Sequence, residues 1–347
     1  MSTNVLNSAS NIQEKSQSYE EQLKKIDEVR TAISPIPEKL SRFCSDASIA
    51  RYLRARNWNV KKATKMLKDS LKWRLEFKPE QIRWEEVATE AETGKTYRST
   101  AVDKNGRPVL IMRPCRQGIG EVLHYVVHNS KSVAGQIKHL VYCMENAILN
   151  LPPNQEQMVW LIDFINFNLS NVSLKAAKET AHVLQNHYPE RLGVAILYNP
   201  PRFFEQFYKV VKPFLEPKTR KKVKFVYDDD VTTKKIMEEL FEMDQLESAF
   251  GGNISESFDI EKYTQKMKED DEKMHSFWEE GNDAPLASNC NGFMHESSTS
   301  LDNSPSEEEE EEPDDRCTSS SSTAKGSPDA GLAVAAMSIE DCGHVKA

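Results

Sequence analysis

Residues 158–162 read Met-Val-Trp-Leu-Ile, residues 194–197 read Val-Ala-Ile-Leu, and residues 223–227 read Val-Lys-Phe-Val-Tyr. The first two runs have no polar position on either face, the pattern of a strand covered on both sides of a sheet. Helical spacing fills the intervals, over 172–187 and again over 202–212. Strand–helix–strand–helix–strand with short links predicts a mainly parallel α/β sheet, because parallel neighbours need a crossover that a helix supplies.

Upstream, residues 97–102 and 108–113 flank Asp103-Lys104-Asn105-Gly106, a strong turn signal, so an antiparallel hairpin enters the sheet. A helix over 129–149 leads from that hairpin to Pro152-Pro153 and the first apolar run. The chain before it reads as helical. Residues 20–33 place Leu23, Ile26 and Val29 on one face, and Pro35-Ile36-Pro37 ends that helix. Asp46 is the expected N-cap of a helix through Ile49, Ala50 and Leu53. Residues 60–77 form a longer helix with Ala63, Met66, Leu67 and Leu71 inward and Lys61, Lys62, Lys65, Lys68 and Lys72 on the other face. The expected organisation is a helical N-terminal subdomain at 19–90, a sheet domain at 91–253 and an acidic helical extension at 254–280. Residues 1–18 and the Ser/Glu-rich tail 281–347, with its run Glu307 to Glu312, are too poor in apolar residues to offset the entropy of ordering and are predicted disordered.

The formal net charge of −9 conceals a division. Residues 35–227 carry 32 Lys/Arg against 18 Asp/Glu, a net of +14, whereas 228–280 and 281–347 each carry −11. The body is basic and the C-terminal third acidic. No run of 18 apolar residues occurs, which excludes a spanning helix, and the polar first 17 residues do not read as a signal peptide. The six cysteines form no C-x-x-C pair, so reduced thiols in the cytoplasm are expected.

Nucleotide and hydrolase chemistry lack their motifs: there is no G-x-G-x-x-G, no G-x-x-x-x-G-K-[ST] and no G-x-S-x-G. Gly251-Gly252-Asn253 follows helical sequence and reads as an exit turn. His124/His128 and His182/His187 make no H-E-x-x-H, and packed or surface histidine is the expected reading. Asp163 ends a buried strand, where a carboxylate braces a loop as readily as it catalyses. No catalytic residue, metal ligand or cofactor is predicted, and the chain is not expected to be an enzyme.

Residues 202–214 are the unusual helix. Phe203, Phe207, Val210, Val211 and Phe214 form one face, and Phe204 and Tyr208 lie off it, so the helix is apolar around much of its circumference. A helix wedged in the core would look like this, as would a movable wall over an apolar cavity or a surface that meets membrane. Five basic residues then fall within 218–224. Basic charge beside apolar surface suits an anionic membrane, at about 1 kcal/mol per Lys or Arg. Nucleic acid is the weaker reading, because no zinc-finger spacing or RNP-like aromatic motif accompanies the charge.

Several segments occur in a telling order: Arg51-Tyr52-Leu53-Arg54-Ala55-Arg56-Asn57-Trp58, Lys72-Trp73-Arg74, His187-Tyr188-Pro189-Glu190-Arg191-Leu192-Gly193, Tyr198-Asn199-Pro200-Pro201, residues 211–219, and Phe250-Gly251-Gly252. Together they resemble the CRAL-TRIO lipid-binding family, in its fungal-type phosphatidylinositol transfer branch, over roughly residues 35–253. The resemblance implies an α/β fold with an N-terminal helical subdomain and a mainly parallel sheet whose flanking helices enclose an apolar lipid cavity, gated by helix 202–215. It implies phosphatidylinositol as ligand, with Arg56, Glu190, Thr219 and Lys222 at the headgroup and Phe203, Phe204, Phe207, Tyr208, Val211, Phe214, Met158 and Trp160 at the gate and cavity. It further implies a monomer that is cytoplasmic and peripherally membrane-associated, an anionic membrane surface and a lipid kinase as partners, and transfer or presentation of the lipid. Glu190 could instead pair with Arg191. The sequence departs from the family pattern at Asn57, where a Lys is common. It departs again at Met158 and Trp160, where hydroxyl residues select phosphatidylcholine, so the expectation does not extend to phosphatidylcholine exchange. The alternatives are a carrier of an isoprenoid or sterol-like ligand and an interaction scaffold with a vestigial pocket.

Overall fold

The structure is a computed structural model that describes residues 18–113, 132–167, 174–211, 221–255 and 258–279. The described chain separates into two compact units: residues 18–78 with 182–190, and residues 79–181 with 191–279. Of the sequence segments predicted to be disordered, 1–18 and 281–347, all but Ser18, which caps the first helix, lie outside the described residues.

The first unit is built on three helices, α1 (Tyr19–Ile33), α2 (Asp46–Arg54) and α3 (Val60–Phe77). Ser18 caps α1 by accepting from the Glu21 N–H, and the helix stops before the Pro35-Ile36-Pro37 segment. The cap of α2 is Ser45 rather than Asp46: the Ser45 hydroxyl accepts from the Ser48 N–H at 3.3 Å. Asp46 is the first helical residue, where its charge suits the helix N-terminus, and its carboxylate pairs with Arg30 of α1. Asn59 caps α3, and Lys78, in the left-handed region at φ 56°, ends it. Ala63, Met66, Leu67 and Leu71 pack against α1 and α2 residues such as Val29, Ile49 and Leu53, while the five lysines of the opposite face are exposed.

Residues 182–190 complete this unit. Tyr52 donates to the His187 carbonyl (3.3 Å), and Ser70 donates to the Asn186 carbonyl (2.8 Å). The Trp73 indole lies flat on the His187 ring, 4.2 Å between centroids and 5° between planes. The conspicuous residues of three sequence segments are thereby one packed cluster.

The second unit carries a five-stranded sheet in the order β1 (Thr96–Val102), β2 (Pro108–Met112), β3 (Met158–Asp163), β4 (Leu192–Tyr198), β5 (Val223–Val226). β1 and β2 are antiparallel and the remaining neighbours are parallel. The hairpin turn is fixed by Asp103, whose carboxylate accepts from the Asn105 and Arg107 N–H groups and from Arg107 Nε. Every residue of β3 and β4 is buried, as their unbroken apolar runs require. The helices of this unit are α4 (Trp84–Ala91), α5 (Val133–Leu149), α6 (Leu174–His187, which belongs to the first unit from His182 on), α7 (Phe203–Val211), α8 (Val231–Leu240) and α9 (Ile260–Glu279).

α9 is the acidic stretch after the sheet, and it is anchored by its own acids. Arg98 of β1 donates to Asp270 at 2.6 Å, Asn146 donates to the same carboxylate at 3.1 Å, and Asp271 accepts from the Trp84 N–H and the Tyr142 hydroxyl. At the exit turn Gly251 sits at φ +84°, and a Cβ on Gly252 would stand 2.0 Å from the Leu246 carbonyl oxygen. Only glycine fits that second position.

Candidate lipid-binding face

Strand register aligns two rows of side chains on one face of the sheet. Leu110, Trp160, Ala195 and Val223 form the first row, and Met112, Ile162, Leu197 and Phe225 form the second. All eight are apolar or aromatic. α7 packs over this face: Phe204 and Tyr208, one helical turn apart, join Ile162, Leu197 and Val223 in one cluster with Phe164. Phe204 is fully buried, in edge contact with Phe164 (5.1 Å) and Phe167 (5.2 Å), and Tyr208 meets Phe225 at 5.4 Å.

The orientation of α7 corrects the sequence reading. Phe204 and Tyr208, taken as off the main apolar face, are the residues that meet the sheet. Phe203, assigned to that main face, is 52% exposed. The helix is apolar on more than one side, and only packing decides which residues turn inward. The side chains of Phe207 and Val211 and all of Phe214 lie outside the described residues.

The start of α7 is tied down. Asn199 adopts φ 50°, its N–H donates to the Val226 carbonyl, and its side-chain oxygen accepts from the Asp228 N–H. The Arg202 guanidinium lies 3.7 Å from the centre of the Tyr227 ring and 3.1 Å from Asp229.

Of the residues expected at a headgroup, Arg56 and Glu190 are half-buried in the first unit, and Lys222 is half-buried immediately before β5 in the second. Thr219 lies outside the described residues. Arg56 donates to the Ala55 carbonyl at 2.8 Å, just before two left-handed residues, Asn57 (φ 49°) and Trp58 (φ 57°). Glu190 is itself left-handed at φ 59°. Non-glycine residues hold such conformations where the surroundings impose them, often at binding sites. Arg191 donates to the Glu156 carbonyl. Met158 and Trp160 are both buried on β3 and, two residues apart, face the same side.

One polar cluster was only half visible in the sequence. Asp163 accepts from the Ile165 N–H and from Arg113 Nε, the bracing alternative of the two that its place at the strand end left open. Arg113 also donates to Glu247 and to the Tyr97 hydroxyl, and lies over the Tyr97 and Phe250 rings. Burial works against the Arg113 charge, but Tyr97, Glu247 and Asp163 together hold its pKa above the ordinary value. The ring of partners is closed and points to a brace. Arg113 and Glu247 are 134 positions apart, and no local pattern links them. Among the described residues no group of His, Cys, Asp and Glu is placed to hold a metal ion, and no helix is long and apolar enough to cross a membrane.

A description of the CRAL/TRIO domain matches residues 91–252, and that of the CRAL/TRIO N-terminal domain matches residues 25–69. The chain belongs to the CRAL/TRIO family. Within that family it is 38% identical over 231 residues to a CRAL-TRIO domain-containing protein of Schizosaccharomyces pombe, 66% of this chain and 20% of the relative. It is 32% identical over 253 residues to phosphatidylinositol transfer protein PDR17 of Saccharomyces cerevisiae, 69% of this chain and 65% of the relative. It is 28% identical over 227 residues to phosphatidylinositol transfer protein CSR1 of Eremothecium gossypii, 62% of this chain and 48% of the relative. The chain thus spans less than two-thirds of the length of these curated relatives. The crystal structure of Sfh5 shares the CRAL/TRIO fold, with a TM-score of 0.52 at 18% identity over 71% of this chain and 92% of that one.

Proposed function

We propose that this chain is a non-enzymatic carrier that binds phosphatidylinositol beneath α7 and transfers or presents it at anionic membranes. The observation that carries the reading is the pair of all-apolar sheet rows packed under an aromatic helix whose outer side still exposes Phe203. An apolar bed suits acyl chains, and an exposed aromatic on the covering helix suits contact with a bilayer. The relatives named phosphatidylinositol transfer proteins support the same ligand.

The energetics explain why such a protein needs a gate. At about 0.8 kcal/mol per methylene, exposing two acyl chains to water costs on the order of 20 kcal/mol. An apolar cavity replaces that step by a nearly balanced exchange of bilayer for protein, and no covalent bond changes. In this proposal Arg56 and Lys222 meet the phosphate, and Glu190 and Thr219 meet the inositol hydroxyls, the chemistry those groups offer. The protein works in the cytoplasm, visits membranes transiently, and hands the lipid to a kinase.

Transfer of labelled phosphatidylinositol between vesicles tests this. The wild-type chain is expected to move the lipid, and Glu190→Ala or Lys222→Ala to abolish most of that movement. Absence of movement by the wild type, or full activity in both variants, refutes the proposal.

A further inference from the structure

Trp160 sits in the first sheet row between Leu110 and Ala195, and Val223 at the end of that row packs with Phe204 and Tyr208. The residue is 4% exposed, and among the described residues its buried indole Nε1–H finds no hydrogen-bond partner. Native proteins rarely bury a donor unpaired, and a buried tryptophan usually finds an acceptor for its N–H. The side chain therefore offers a single neutral donor on the face assigned to the lipid.

We infer that Trp160 is a specificity-determining residue, its indole N–H donating to an uncharged oxygen of the bound lipid. The inference rests on the lipid-binding reading of this face. The acceptor is uncharged because, among the described residues, nothing beside the indole balances a charge. Met158 and Ile162 flank it along β3, and Leu110 and Ala195 flank it across the sheet. The cation in the same row, Arg98 opposite Leu110, is already engaged by Asp270 at 2.6 Å and Asn146 at 2.5 Å. A phosphate lodged in this bed would lose its hydration without a counter-charge, whereas a carbonyl or hydroxyl oxygen needs only one donor. Two lipid classes supply such an oxygen within an apolar body: the acyl ester of a glycerolipid, and the hydroxyl of a sterol or isoprenol.

The decisive measurement compares lipids that differ only in that oxygen. Binding is measured for diacyl phosphatidylinositol and its dialkyl-ether analogue, and for a 3-hydroxysterol and its 3-deoxy analogue, with the wild-type chain and Trp160→Phe. Loss of one buried hydrogen bond predicts a wild-type preference of about tenfold for the oxygen-bearing member of one pair. That preference should vanish in Trp160→Phe, because ligand oxygen and protein donor are then two halves of one interaction. A preference in the ester pair assigns the site to a glycerolipid, and one in the sterol pair to a sterol. If the wild type binds both members of each pair alike, as it would were the partner a water, the inference fails whether or not the variant folds. It fails equally if the preference survives in Trp160→Phe. Phosphatidylinositol binding without ester discrimination sinks this inference alone. Sterol discrimination without phosphatidylinositol binding sinks the proposed ligand and keeps the role of Trp160.

Discussion

The imidazole of His187 lies against Trp73, with the Tyr188 ring at 6.0 Å from that indole and His182 and Arg74 as neighbours. Ser70 spends its proton on the Asn186 carbonyl, so its oxygen is left to accept the His187 Nδ1–H at 3.1 Å. Burial, reinforced by His182 and Arg74, lowers the His187 pKa to about 4. The unfolded chain binds that proton at its ordinary pKa of about 6.5, so stability is complete above pH 6.5 and is lost as pH falls toward 4. We expect His187 alone to cost the fold about 2 kcal/mol between pH 7 and pH 5. His139, buried in the second unit and likewise lowered to about 4, adds its own loss. Urea unfolding at the two pH values checks this. His187→Phe keeps a ring against Trp73 and should be less sensitive to acid than the wild type. An unchanged pH dependence in that variant would show that His187 is not the titrating group.

At the scale of the element, α7 turns two adjacent aromatic residues opposite ways. Phe204 is buried against the sheet and Phe203 is turned to solvent. Phe204→Ala should destabilise the second unit by about 3 kcal/mol, as large-to-small core changes do. Phe203→Ser should leave thermal unfolding nearly unchanged, because the ring is 52% exposed, and under the proposed function it should slow lipid transfer at vesicles, where that ring would meet the bilayer. Equal losses of stability in the two variants would contradict the observed orientation. The extent of α3, Val60–Phe77, was legible in the sequence, because a run of helix formers and a regular apolar spacing agree there. The cap of α2 was not. Ser45 and Asp46 are both good caps, and a long-range ion pair with Arg30 takes the aspartate. The anchoring of α9 was equally hidden, since Arg98 and Asp270 stand 172 positions apart.

For the whole molecule, net charge is less informative than its distribution. The basic body, including the exposed lysines of α3, suits an anionic surface, and the acidic tail opposes it. Removing residues 281–347 should therefore strengthen binding to acidic vesicles at low salt. The gain should shrink near 1 M salt, where the Debye length falls to about 3 Å. Equal sedimentation of the full and shortened chains with vesicles at low salt would show that the tail is no electrostatic brake. The sequence alone determined the α/β class, the order of strands and helices, the exit glycines and the family, because apolar period, turn chemistry and ordered motifs act over short stretches. The tertiary structure decided which side of α7 turns to the sheet. It also decided that Trp160 buries its N–H without a partner among the described residues, and that Arg98, Arg113 and His187 find the groups that hold them. Those outcomes depend on contacts between residues tens to hundreds of positions apart, which periodicity along the chain does not encode.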